Sequence, residues 1–287
     1  MRVSRTEASR FLICLLTCLL GACSVVNVAY NNANTVAHWY FDDYFDFSSN
    51  QRALFDQGLQ RLHVWHRKEE LPKYAALCFE LARRVEAGLK GADLDWMESA
   101  VRERFNVLVI RSVGDLAPAF AGMEPAQLTN MDKKFAKSNA KFIREHLSGT
   151  PEQRDSKRIS ESLTKIEDWV GDLRADQEAS VTAMIKLMPQ MDEQRQAHRL
   201  VRQKALREIF AGKLDRDKLE AALNHWIINW ESGRTADHER VWGQWAEQNR
   251  NLVMKLIGTL TPQQRTHVIN KLRRFADDFT RLNEQEG

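Results

Sequence analysis

Three side chains at helical spacing offer the first chemistry in this chain. His63, His66 and Glu70 stand at i, i+3 and i+7, so one side of a helix would carry two imidazoles and a carboxylate. That donor set can ligate a metal, yet the spacing matches no zinc signature, and no second ligand pair accompanies it. The reading favoured here is a core polar network. His66 falls near the middle of the apolar face formed by Phe55, Leu59 and Leu62, and Asp42, Asp43 or Asp46 from the preceding helix would hold it. Asp42 and Asp43 are helical neighbours pointing about 100° apart, so they make no matched acid–base pair. No nucleophile elbow, phosphate loop, HExxH or CxxC occurs, so neither catalytic residues, a metal nor a cofactor is expected, and a non-enzymatic role is.

The most specific chemistry belongs to a cysteine. Arg2, Arg5 and Arg10 precede the apolar run from Phe11 to Leu20, which leads into Leu20-Gly21-Ala22-Cys23-Ser24. This is the pattern of a secretory signal closed by a lipobox. Residues 1–22 are then a removable signal peptide, and Cys23 is the lipidated N-terminus of a domain covering 23–287. Ten or so apolar residues would cross only about half of a ~30 Å hydrocarbon core, so the run is too short for a span. Several acyl chains anchor stably where one does not. Ser24 after the cysteine points to the outer membrane, on its periplasmic face. Cys14 and Cys18 would leave with the signal and Cys23 would be acylated. Cys78 remains as the single free thiol, within the helical series Tyr74, Leu77, Cys78, Leu81, Val85 and Leu89. A small buried apolar residue is the expectation there, and no disulfide staples the fold.

The charge balance argues against one class of partner. Removing Arg2, Arg5, Arg10 and Glu7 leaves 39 basic against 38 acidic residues, with the signs interspersed. Such a domain has no electrostatic footprint for nucleic acid.

The elements that position these groups all read as helices. Apolar residues recur with a 3.6-residue period past residue 27, as at Leu219, Leu223, Ile227 and Trp230, or at Val268, Leu272, Phe275, Phe279 and Leu282. Val181, Met184, Ile185, Met188 and Met191 form a Met-rich stripe of core type. The spacing predicts an all-α, multi-helix bundle of long amphipathic helices. They fall near 27–45, 49–69, 72–90, 93–121, 124–147, 151–171, 174–211, 215–232, 236–258 and 262–283. Pro72 either begins a helix or kinks one, and Pro189 kinks or divides 174–211. Trp226 and Trp230, one turn apart, and Trp242 and Trp245 on the next helix either fill gaps or line a groove.

One short pattern recurs with a Gln three residues after a polar residue. It appears at Ser48/Gln51, Glu124/Gln127, Thr150/Gln153 and Thr261/Gln264, and more weakly at Arg174/Gln177. A capping box accounts for it. The polar residue caps the first amides, Pro often takes the first helical position, and Gln reaches back to the cap amide. The irregular spacing of the copies excludes a solenoid repeat.

Together these residues resemble a family of bacterial lipoproteins of unknown function. The likeness is carried by the lipobox, Tyr30-Asn31-Asn32, Trp39 with Asp42-Asp43-Tyr44, Trp65-His66-Arg67 with Glu70-Leu71-Pro72, and Leu260-Thr261-Pro262-Gln263-Gln264-Arg265. Phe47-Ser48-Ser49-Asn50-Gln51 departs from the Leu-Thr-x-x-Gln form. The resemblance implies localisation and a helical fold, and no activity. A weaker likeness, through Thr261/Gln264 and Ser48/Gln51, is to periplasmic helical proteins of the Spy/CpxP type. It implies a chaperone-like scaffold that binds cell-envelope proteins or peptides. The alternatives are an assembly lipoprotein with one dedicated partner and, third, a metal-dependent module or enzyme.

Overall fold

The computed structural model describes residues 26–285, and the expected signal peptide and Cys23 lie outside that range. Among the described residues there is no strand, and no helix is long and apolar enough to cross a membrane. A short helical lead-in precedes α1, Ala33–Phe45, which ends where Asp46 takes a left-handed conformation. Then follow α2, Ser49–Trp65, a π-helical turn at His66–Glu70, and α3, Leu71–Ala87. Gly91–Phe120 is α4, Pro125–Phe142 is α5, and a second π-turn occupies Ile143–Leu147. Pro151–Val170 is α6, Ala175–Leu187 is α7, Asp192–Ala211 is α8 and Arg216–Ile228 is α9. Ala236–Thr259 is α10 and Pro262–Glu284 is α11.

Both proline expectations find a definite form. Pro189 sits in a non-helical break that separates α7 from α8. Around Pro72 the chain stays helical from α2 through α3, because the π-turn absorbs the proline. Pro72 has no N–H for the carbonyl four residues back, and its ring crowds that carbonyl. Widening the turn lets Leu71 N–H bond to His66 O instead, one residue further away than in an α-helix.

The apolar faces assemble into separate cores. The largest joins α1, α2, α4, α5, α8 and α9 through an aromatic cluster of Phe45, Phe47, Phe55, Phe120 and Phe210. Its rings meet mainly edge to face: Phe45 and Phe120 lie 4.9 Å apart at 84°, and Phe47 and Phe120 5.3 Å apart at 69°. The second core joins α6, α7, α10 and α11 through Val170, Val181, Ile185, Met188, Leu252 and Leu256. The Met-rich stripe is thus core. A third group, Ala82 and Val85 with Ile269 and Leu272, packs α3 along α11. The helices α2 and α4 approach closely at Gly58. A Cβ on Gly58 would stand 2.2 Å from the carbonyl oxygen of Asp115, so only glycine fits there.

Candidate functional site

Four of the five Gln boxes meet in pairs. Gln177 and Gln264 lie buried against each other at the starts of α7 and α11. Gln177 Nε2 donates to Gln264 Oε1 at 2.9 Å and Gln264 Nε2 to Gln177 Oε1 at 3.0 Å. Each amide nitrogen also donates to a carbonyl beside the other's cap, Gln177 to Thr259 O at 2.9 Å and Gln264 to Asp172 O at 2.8 Å. Each amide oxygen accepts its own cap N–H, from Arg174 and Thr261, at 3.0 Å. Both amides thereby use their full hydrogen-bonding capacity.

Gln51 and Gln127 form the corresponding pair at the starts of α2 and α5, and here the exchange is lopsided. Gln127 Nε2 donates to Gln51 Oε1 at 2.8 Å and to Asp46 O at 2.9 Å. Gln51 Nε2 reaches Gln127 Oε1 only at 3.5 Å and has the Met123 sulfur at 4.0 Å. Gln153 is the fifth. It closes the box with Thr150 at an exposed helix start, with no partner glutamine. The local capping reading therefore holds in full at Ser48, Thr150 and Thr261. For Glu124 and Arg174 only the return bond from cap N–H to Gln is made.

The residues expected to form one polar network divide into two places, which corrects that expectation. Asp42 binds Arg52 at 2.7 Å, Asp43 binds Lys134, and Asp46 ends α1. None of the three reaches His66. His66 keeps the α-helical register of α2, its N–H bonding to Leu62 O, and Tyr30 meets it instead, with Oη and Nδ1 3.0 Å apart. Burial, above all, pushes the Tyr30 phenol up to about 12, so it remains a donor. Burial also lowers His66 below its ordinary value, as it does His63, which Arg67 lowers further. Both imidazoles are thus neutral acceptors at pH 7.

Arg67 is the hub of this cluster. It is buried, donates to Asn31 Oδ1 at 2.8 Å, to His63 Nε2 at 3.0 Å and to Leu282 O at 3.2 Å, and lies over the Tyr30 ring. Lys68 adds a bond to Asn283 O at 2.8 Å. Two cations thus meet the electronegative C-terminal end of α11. Glu70 is wholly buried and hydrogen-bonds to neither histidine, held instead by Lys73 at 2.7 Å and Arg104 at 3.4 Å, with its charge opposing the effect of burial on His66. Among the described residues no three His, Cys, Asp or Glu side chains are grouped to hold a metal. This arrangement clamps three chain segments together and leaves neither histidine poised as a base. Cys78 is half-buried, and burial raises its thiol pKa, as befits a packing residue.

A cavity of about 490 Å³ opens in the aromatic core. Its walls are Phe41, Phe45, Phe120, Phe135, Phe210 and Trp226, with Val113, Leu116, Ala117, Leu206, Leu223 and Ile227 between them. Tyr40, Tyr44, Arg199, Arg202 and Gln203 supply most of its polar groups, and no carboxylate lines it. Arg202 stacks on the Trp226 ring 4.4 Å from its centroid, and Trp226 Nε1 donates to Arg202 O at 3.0 Å. Of the tryptophans that offered a groove, Trp226 lines this cavity. Trp230, Trp242 and Trp245 pack together elsewhere, with the Arg234 guanidinium over the first two. A larger groove of about 650 Å³ along α6 carries mixed charges, and many pair with each other, as Lys157 with Glu161 and Arg195 with Asp192.

Nothing in the spacing singled out Arg199, Arg202 or the phenylalanine walls. The two arginines read as the solvated face of α8, whose apolar face is marked by Leu206 and Phe210. Their only sequence signal is the i, i+3 spacing of two cations without an acidic neighbour at i+4.

Fold and site together define an all-helical protein whose two cores grow from paired, glutamine-bridged helix starts, one of them opening on an aromatic cavity. Residues 43–239 match the family of unknown function DUF6279, and the chain belongs to that family. The match spans the first Gln pair and the cavity-lining residues from Tyr44 onward, and it ends before α11. No curated protein and no solved structure matches the chain.

Proposed function

We propose that this protein is a non-enzymatic binding scaffold of the bacterial cell envelope, with the aromatic cavity as its binding site. In this reading a lipid on Cys23 holds the helical domain at the periplasmic face of the outer membrane. The observation that carries the binding role is the cavity itself. Its volume falls within the ~300–1,000 Å³ of small-ligand pockets, its walls are aromatic, and its polar groups are few. The polar cluster at the π-turn supports a non-enzymatic role, since its imidazoles and carboxylate are spent on holding helices. The tether is supported by the exposed apolar face of the N-terminal helix. Val28, Val36 and Trp39 all face solvent there, Trp39 at 69% exposure, close in sequence to the acylated cysteine. Aromatic side chains of this kind settle at bilayer interfaces.

A neutral apolar fluorophore, N-phenyl-1-naphthylamine, tests the site. It should bind the full chain with enhanced emission. Val113→Phe, which sends a ring into the void, should abolish that binding while the thermal midpoint is kept. An unchanged signal in that variant, or no binding to the parent chain, defeats the reading. The tether has its own test. Cys23→Ser should release the protein from membranes in a high-salt wash.

A further inference from the structure

We infer that the aromatic cavity takes a single-chain acyl carboxylate, with its chain among the phenylalanine rings and its carboxylate on Arg199 and Arg202. This rests on the cavity being the binding site. Two guanidinium groups one helical turn apart stand at an apolar void with no carboxylate in its lining. Neither forms an ion pair among the described residues. Arg199 donates to Asn139 Oδ1 and Ser138 Oγ, which are neutral, and Arg202 donates to the backbone oxygen of Trp226. Arg199 Nη1 and the Nε and Nη1 of Arg202 have no protein acceptor among the described residues. Glu231 acts on Arg202 only through its field, without an ion pair. Burial lowers the Arg202 pKa against the opposing field of Glu231, so its charge is partly desolvated. An anion would supply what is missing, and a guanidinium fork suits a carboxylate.

The walls argue for an acyl chain over a peptide. A peptide brings backbone N–H and C=O groups that must find partners when buried. The Gln203 amide is committed to Asn139, at 2.8 and 3.1 Å, which leaves Ser112 and the two tyrosines as the uncharged polar side chains of the lining. A hydrocarbon chain asks for none. The volume, in the lower half of the small-ligand range, suits one chain and not the two of a phospholipid.

Displacement of N-phenyl-1-naphthylamine from the full chain tests this with four twelve-carbon probes, each below its micelle concentration. They are dodecanoate, dodecanol, dodecyl phosphate and dodecyltrimethylammonium. Dodecanoate should displace the dye at concentrations roughly tenfold below dodecanol, the order expected of one charge-assisted contact. Arg199→Gln with Arg202→Gln should bring the two to parity and leave dodecanol unchanged. The double Lys variant, retaining the charge, should keep most of the preference. Equal displacement by dodecanol, or a preference for the cationic probe or the phosphate ester, would overturn the proposal while leaving the cavity a binding site. Failure of the dye to bind at all would instead remove the reading beneath it.

Discussion

The two glutamine pairs are built from the same box and end differently. At the start of α7 and α11 every donor and acceptor of both amides is used, and the helices diverge around an aliphatic core of Val181, Ile185 and Leu252. At the start of α2 and α5 one amide nitrogen is left with a 3.5 Å contact and a sulfur, and the helices run into the phenylalanine core. The exchange is thus symmetric at the aliphatic core and lopsided at the aromatic one. Both pairs send a helix to the π-turn, since α2 leads into it and α11 ends upon it. That turn is where the halves are tied together.

The first way to break the comparison is at the α2/α4 crossing that frames the aromatic core. Gly58→Ala would gain up to ~1 kcal/mol of helix propensity in an open helix. Here the new methyl meets the Asp115 carbonyl, so the helices must separate, and the Arg61–Asp115 and Arg111–Asp115 ion pairs shift with them. A net loss of about 2–3 kcal/mol is expected, the range of overpacked cores. Gly243→Ala on α10, where a Cβ meets nothing within 4 Å, should instead stabilise by about 0.5–1 kcal/mol. Urea midpoints of the two variants give the answer, and a stabilised Gly58→Ala would mean that the crossing is not tight.

The second is the pairs themselves. Gln264→Ala strips the cap amide of Thr261 and leaves the Gln177 amide and Asp172 O short of partners. About 2–3 kcal/mol should be lost, since each buried orphaned group costs ~1–3 kcal/mol. Gln51→Ala gives up a weaker set and should cost about half as much. A double-mutant cycle on Gln177 and Gln264 should show coupling of about 1 kcal/mol or more, and the Gln51/Gln127 cycle less. Equal couplings would erase the distinction between the two pairs.

Much of this was legible from residue order, for a definite reason. Caps, prolines and helix starts are local, so the boxes at Ser48, Thr150 and Thr261 placed their helices to within a residue or two. Which start faces which is not local. A capping box is complete within its own turn and carries no mark of the helix that will cross it, so the pairing of Gln177 with Gln264 could not be read. The π-turn misled in a different way. A single widened turn shifts everything after His66, Glu70 included, whereas the partner of His66 was set by Tyr30 on a distant segment that a helical projection cannot place. Arg199 and Arg202 were hidden because an arginine beside a void and one in solvent look alike in a helical pattern.

The third measurement bears on the tie between the halves, through pH. His63 and His66 fold with pKa values below the ordinary ~6.5. Their contribution is intact above that pH. As pH falls below ~6.5 the unfolded chain takes up protons that the fold refuses, so stability declines toward the folded values. Tyr30 acts at the other end. Its phenol, at about 12, keeps its contribution below the ordinary ~10, and loses it as pH rises from ~10 to about 12. Thermal midpoints should therefore fall on both flanks. His66→Phe should flatten the acid side in part, His63 and His238 supplying the rest, and Tyr30→Phe should flatten the alkaline side in part, Tyr40 and Tyr74 supplying the rest. An acid flank untouched by His66→Phe would remove that histidine from the account.

The smallest effect is the most discriminating, because it separates the cap from the pairing. Gln153 has the box of Gln264 without its partner: the Thr150 N–H donates to Gln153 Oε1 at 2.9 Å, and the site is exposed. Water replaces what Gln153→Ala removes, so the loss should be about 0.5 kcal/mol, at the low end for a cap. Thr150→Ala, which deletes the other half of the box, should cost about 1 kcal/mol. If Gln153→Ala costs as much as Gln264→Ala, capping alone explains all five boxes and the meeting of helix starts adds no stability. If the two differ by about 1.5 kcal/mol or more, the surplus belongs to burial and to the exchange between amides.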